Sequence, residues 1–115
     1  MEFVMFMHAP ADQLGTKAPT ETVQAIARFA MELASEGKLK GGAQLRGYDH
    51  GFHVQPSAEG GRVIDGPFPE TKELVGGYFV LELDSLDEAK EIAARCPHLA
   101  IGPVSVQPSI PREQH

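Results

Sequence analysis

Apolar and polar positions change rhythm several times along this chain, and each rhythm predicts an element. Residues 2–8, EFVMFMH, are a short apolar run closed by APADQLG, which predicts a strand. Side chains alternate across a strand, so Phe3, Met5 and Met7 share one face while Val4, Phe6 and His8 share the other. Both faces are apolar, and both are expected to be covered. A helical rhythm follows: Val23, Ile26, Ala27, Ala30, Leu33 and Ala34 recur at the spacing of one helix face, with Gln24, Arg28, Glu32 and Glu36 opposite. Thr20 is the expected N-cap and Gly37 the expected left-handed residue past the end.

LKGGAQLRG and GFHVQP then predict two short strands, and GRVIDG a third after the turn-like SAEGG. GGYFVLELDS is a clearer strand, with Phe79, Leu81 and Leu83 on one face and Tyr78, Val80 and Glu82 on the other. Ser85 with Glu88 three residues on is a capping box that opens a second helix. Leu86, Ala89, Ile92, Ala93 and Cys96 form its expected buried face, and Pro97 stops it. PVSVQP closes the chain as a last strand. Strand, helix, strand, strand, helix, strand is the order of a ferredoxin-like α+β sandwich, here with an extra hairpin between the halves. Two helices cover only one face of a four-stranded sheet. The second apolar face therefore predicts a homodimer, because a second copy is the simplest cover.

Length and composition narrow the classes. At 115 residues, 42% hydrophobic and 23% charged, the chain reads as a single soluble domain spanning residues 1–115. A net charge of −6 with ten scattered basic residues argues against nucleic acid and anionic membranes as partners. The lone Cys96 offers no internal disulfide, and the first apolar run lacks a basic flank and the length of a signal peptide or membrane span. A cytoplasmic location is the expectation.

One stretch carries more chemistry than a connection requires. Residues 65–73, DGPFPETKE, resemble the DGPF branch of the YCII-related family, whose motif runs D-G-P-F-x-E-T-K-E. The similarity extends to GGYFVLELDSLDEAKEIAARCP, upstream to GGAQL and downstream to VSVQP. The resemblance implies a ferredoxin-like fold assembling as a dimeric α+β barrel, in agreement with the two-faced strands. It implies no particular reaction. A site of acidic and histidine side chains is inferred for the family, and some members accompany sigma factors, so an accessory role stays open.

The residues themselves suggest where chemistry would sit. Gly66 and Pro67 turn the chain sharply after Asp65. Asp65 is then either a turn carboxylate accepting its own backbone amides, or a carboxylate at the rim of an apolar cavity, with Phe68 as a wall, placed to move a proton. Lys72 is a candidate for binding a substrate carboxylate; Glu70 and Glu73 read as solvated. His8 ends the first strand on the Val4 and Phe6 face, either as a hydrogen-bonded rim histidine or as the acid/base partner of Asp65. Tyr78 and Glu82 share a face directed at the same cavity, and Arg46 is a candidate partner for Glu82. His50 and His53 are spaced for a helix but lie in a turn and strand, which sends them apart; no metal site and no cofactor are expected. Two functions stay in play: a cofactor-independent isomerase or lyase using Asp65 and His8 on a small metabolite, and a non-catalytic dimeric ligand-binding or accessory module. A buried Asp65 beside another titratable group favours the first. One engaged only by its own turn favours the second.

Overall fold

The computed structural model describes residues 1–47, 50–68 and 73–111. Its elements are β1 (Glu2–Ala9), α1 (Thr20–Ser35), β2 (Leu39–Gln44), β3 (Phe52–Ser57), β4 (Gly60–Asp65), β5 (Leu74–Glu82), α2 (Leu86–Ala94) and β6 (Val104–Pro108). Four strands make one antiparallel sheet in the order β2-β5-β1-β6. That is the ferredoxin-like order, and β3 and β4 pair only with each other as the inserted hairpin.

Alternation within the strands decides which face meets the helices. Phe3, Met5 and Met7 of β1 and Phe79 and Leu81 of β5 are buried against Ile26, Phe29 and Leu33 of α1 and Ala89 and Ile92 of α2. Three details of the sequence reading change. The stripe of α1 is centred on Phe29, whose ring lies 6.3 Å from that of Phe79, while Val23, Ala27 and Ala34 are exposed. The bulkiest groups take the middle of the interface because they bury the most surface there. Leu86 of α2 is likewise exposed. Thr20 is the first residue of α1 rather than its cap, since the carbonyl of Pro19 accepts the first helical bond, from Val23 N–H at 3.0 Å.

The cap of α2 is as expected on one side: Ser85 Oγ accepts from Glu88 N–H at 3.1 Å. The return bond goes one residue earlier, with Asp84 N–H donating to Glu88 Oε1 at 2.8 Å. Lys38 also sits 3.2 Å from Glu88. The Asp84 amide and the Lys38 ammonium hold the Glu88 carboxyl below its usual range. Removing the cap by Ser85→Ala is expected to cost about 1 kcal/mol, a fall of about 4 °C in melting temperature. An unchanged melting curve would show that the cap contributes nothing.

Cys96 lies in the core, 2% exposed, and its burial pushes the thiol pKa up. It therefore stays a thiol and acts as a packing group. Cys96→Ala is expected to cost about 1 kcal/mol of stability while leaving ligand binding unchanged. Lost binding in a folded Cys96→Ala protein would overturn that assignment.

No helix of the described residues lies over the remaining face of the sheet. Val4, Phe6 and His8 of β1, Tyr78 and Val80 of β5 and Ser105 of β6 share it, each only half-buried. The hairpin stands out as an arm instead of folding over that face. Its projection shows in a radius of gyration of 15.7 Å, against about 13 Å for a compact chain of this length. No helix among the described residues is long and apolar enough to cross a membrane.

Candidate functional site

The open face gathers chemistry at one end. β1 and β5 pair residue by residue from Glu2↔Glu82 to Met7↔Gly77, and the register then shifts so that His8 lies opposite Val75. This bulge leaves Gly76 as the extra residue, and a Cβ there would meet the Leu14 side chain at 2.3 Å, so a larger residue would force Leu14 to move. The shift lets Ala9 and Leu74 bury with Leu14 in a small second cluster, while His8 stays on the Phe6 side, its ring 6.4 Å from that of Phe6. His8 is held at several points. Its amide donates to Pro103 O at 2.9 Å, its carbonyl accepts from His98 Nε2–H at 2.7 Å, and its Nε2 shares a 2.7 Å hydrogen bond with Ser105 Oγ. Gly102 permits this close approach, since a Cβ there would stand 2.0 Å from the His8 carbonyl oxygen.

The root of the arm is the second concentration of chemistry. Phe52 pairs with Asp65, and Gly66 N–H donates to Gly51 O at 3.0 Å, closing the hairpin at its base. Gly66 takes φ +84°, the left-handed conformation that its turn requires. His53 pins that turn from beneath. Its Nδ1–H donates to Gly66 O at 2.7 Å, and its ring lies 4.3 Å from that of Phe68. Its Nε2 is buried and has no hydrogen-bond partner among the described residues. Leaving such an atom unsatisfied costs about 1–3 kcal/mol. Asp65 itself is exposed, and its carboxylate makes no hydrogen bond to any described residue. Neither alternative expected for Asp65 is met within one chain: it is not buried beside a titratable group, and it does not cap its own turn.

Two clefts flank this root and share Gly47. One, of about 230 Å³, has Gly66 and Pro67 on one wall, Leu14 and Leu74 on another, and Thr16 and Lys17 at its polar edge. The other, of about 210 Å³, is lined by Leu45, Gly51, Phe52 and Val75. Phe68 lies at the arm's root with its ring 4.3 Å from that of His53, but it is 47% exposed and lines neither cleft.

The other expected site residues separate. Tyr78 lies opposite Phe6 on the open face. Glu82 is on the same face but at the far end of β5 from His8, where it pairs with the Met1 amino group at 2.6 Å and approaches Lys40 at 3.9 Å. The expected Glu82–Arg46 pair is therefore corrected: Arg46 follows the other end of β2, next to the Leu45–Gly76 bond, with its carbonyl against Gly15. Glu2 and Glu82 are neighbours across the strands, and Lys40 offsets their repulsion. Lys72 and Glu70 lie outside the described residues. Sequence reasoning missed Ser105, although alternation with Val104 and Val106 puts it on the His8 face. It also weighed His53 only as a metal ligand, because nothing local announces the contact with Gly66, thirteen residues away.

These features match a known domain. A model of the YCII-related domain family matches residues 1–111. The chain belongs to that family. No curated protein matches it in sequence. Among solved structures, this YCII-related chain is similar to 5-chloro-2-hydroxyhydroquinone dehydrochlorinase (TftG) from Burkholderia phenoliruptrix AC1100, in complex with 2,5-dihydroxybenzoquinone. The match has a TM-score of 0.59 and 13% identity over 100% of this chain and 99% of the other. A likeness at that identity establishes the shared fold.

Proposed function

We propose that the chain is a cofactor-independent acid/base enzyme, an isomerase or lyase, acting on a small metabolite in a cavity closed by a second copy. The observation that carries this reading is His8, held on a half-buried apolar face with its Nε2 against a hydroxyl. An imidazole can both accept and donate a proton, and a dry pocket sharpens that exchange. A second copy laid on Val4, Phe6, Tyr78 and Val80 supplies the dryness. Asp65 stands on an arm that projects from its own sheet, so its carboxylate meets an imidazole where arm and open face come together across the two copies. One group removes a proton from the substrate; the other returns a proton to the substrate in an isomerisation, or to the group that departs with its bonding electrons in an elimination, so the balance closes without a cofactor. Phe68, Lys72 and Tyr78 are the proposed binding groups. Dehydrochlorination, the activity in the neighbour's name, is an elimination of this general type.

A second reading rests on the exposure of Asp65. A dimeric binding or accessory module needs no carboxylate in its cavity. Thermal-shift screening with a metabolite library separates the two. The enzyme reading expects a stabilising compound that the wild-type protein converts; a stabilising compound recovered unchanged after prolonged incubation would select the module.

A further inference from the structure

The two sides of the arm are unequally covered. Pairing sets Phe52 opposite Asp65 and Val54 opposite Val63, so these four side chains leave the hairpin on one side and His53, Gln55 and Ile64 leave it on the other. On the second side His53 is buried against Gly66 and Phe68, and Gln55 and Ile64 are half-buried. The first side is bare: Phe52 is 62%, Val54 47% and Val63 64% exposed. A two-stranded hairpin by itself is marginally stable in water, and no other strand among the described residues pairs with this one. The bare side runs into the open face of the sheet. Phe52 shares a cleft with Leu45 and Val75, and Val75 stands opposite His8, which puts it on the open face.

We propose that the arm is a clasp: Phe52, Val54 and Val63 of each copy pack on the open face of the other, so that both chains wall the cavity and each delivers its Asp65 to the other. This rests on the reading that a second copy covers the open face, and it adds what holds that copy there. Two observations select a second copy as the occupant. The bare side and the open face are one continuous apolar surface, and a two-fold axis lets a single self-complementary interface cover both on each chain. The chemistry also matches. Whatever covers Phe52 comes up to Asp65 as well, so it must be apolar and still offer a donor to a carboxylate. The open face has Val4, Phe6 and Val80 for the first need. For the second it has the Tyr78 hydroxyl, which makes no hydrogen bond to a described residue, and the His8 imidazole.

The test equilibrates ¹³C-labelled with unlabelled full-length protein until subunits exchange, and reads isotope-filtered NOEs. The Val54 and Val63 methyls of the labelled copy are expected to show NOEs to the unlabelled one. NOEs between copies from Val80 but none from Val54 or Val63 would overturn the clasp and leave the covered face standing; a wild-type monomer in the ultracentrifuge would overturn both. Neither readout needs a substrate, so a chain that proves to be a binding module is still decided. Phe52→Ser and Val63→Ser are each expected to raise the dimer dissociation constant by about tenfold or more, since each dimer loses two buried apolar groups. Arg62→Ser, on the opposite side of the arm, is expected to leave it within about twofold, the scatter of an ordinary surface change. Unchanged dissociation for both Phe52→Ser and Val63→Ser would overturn the proposal. If either variant fails to fold, the NOEs on the wild-type chain still decide.

Discussion

Asp65→Asn is expected to cut turnover of the substrate by about 10²–10⁴-fold, the usual contribution of a positioned acid or base. It is expected to leave stability within about 0.5 kcal/mol of wild type, as for any surface change that touches no buried feature. The separation of the two effects follows from the structure. Asp65 is exposed at the end of β4, and its carboxylate makes no hydrogen bond to a described residue, so the near-isosteric amide loses nothing in folding. What it loses is the ability to accept a proton. His8→Gln is expected to follow the same pattern, because glutamine keeps a polar group facing Ser105 but cannot shuttle a proton. Rates and melting curves for both variants, on whichever compound the screen supplies, check this. If Asp65→Asn retains full turnover, Asp65 is not the proton-transfer group.

Phe6→Glu is expected to convert a dimer to monomers or aggregates, the second large effect. Phe6 sits at the centre of the open face, opposite Tyr78 on one side and Ser105 on the other, with Val4 and Val80 one pair along. These side chains are already half-buried in one chain. A partner therefore gains about half of the 1.5–3 kcal/mol that full burial of each large apolar group is worth. Placing an unpaired carboxylate in the middle of such an interface costs several kcal/mol, more than any one of those gains. Val80→Lys acts by the same route. Analytical ultracentrifugation is the measurement, and a well-folded wild-type monomer at micromolar concentration would remove the basis of the closed cavity.

The two expectations test different links. The interface variants ask whether the sheet's second face is covered, and the Asp65 and His8 variants ask whether the covered space is used for chemistry. A dimer that loses nothing on Asp65→Asn is the binding module; a monomer with turnover sensitive to both residues is an enzyme that needs no second copy. Cleft residues on the α1 side of the arm, Thr16 and Lys17, are natural second targets once a ligand is known.

Alternation along β1 and β5 determined from the sequence alone that the sheet has two apolar faces, because a strand offers each residue only one of two directions. The same local rules placed the α2 cap at Ser85, the hairpin in SAEGG and the order of elements, and the DGPF stretch identified the family. The tertiary structure decided the rest, because it turns on contacts between residues far apart in the chain. Phe29 became the centre of α1 only because Phe79 lies beneath it. Glu82 went to Lys40 and the Met1 amino group because strand register, not charge, sets its neighbours. Ser105 reached His8 across 97 positions of sequence, and His53 found Gly66 only once β3 and β4 had paired. Local propensity carries no record of such pairings; register and packing create them.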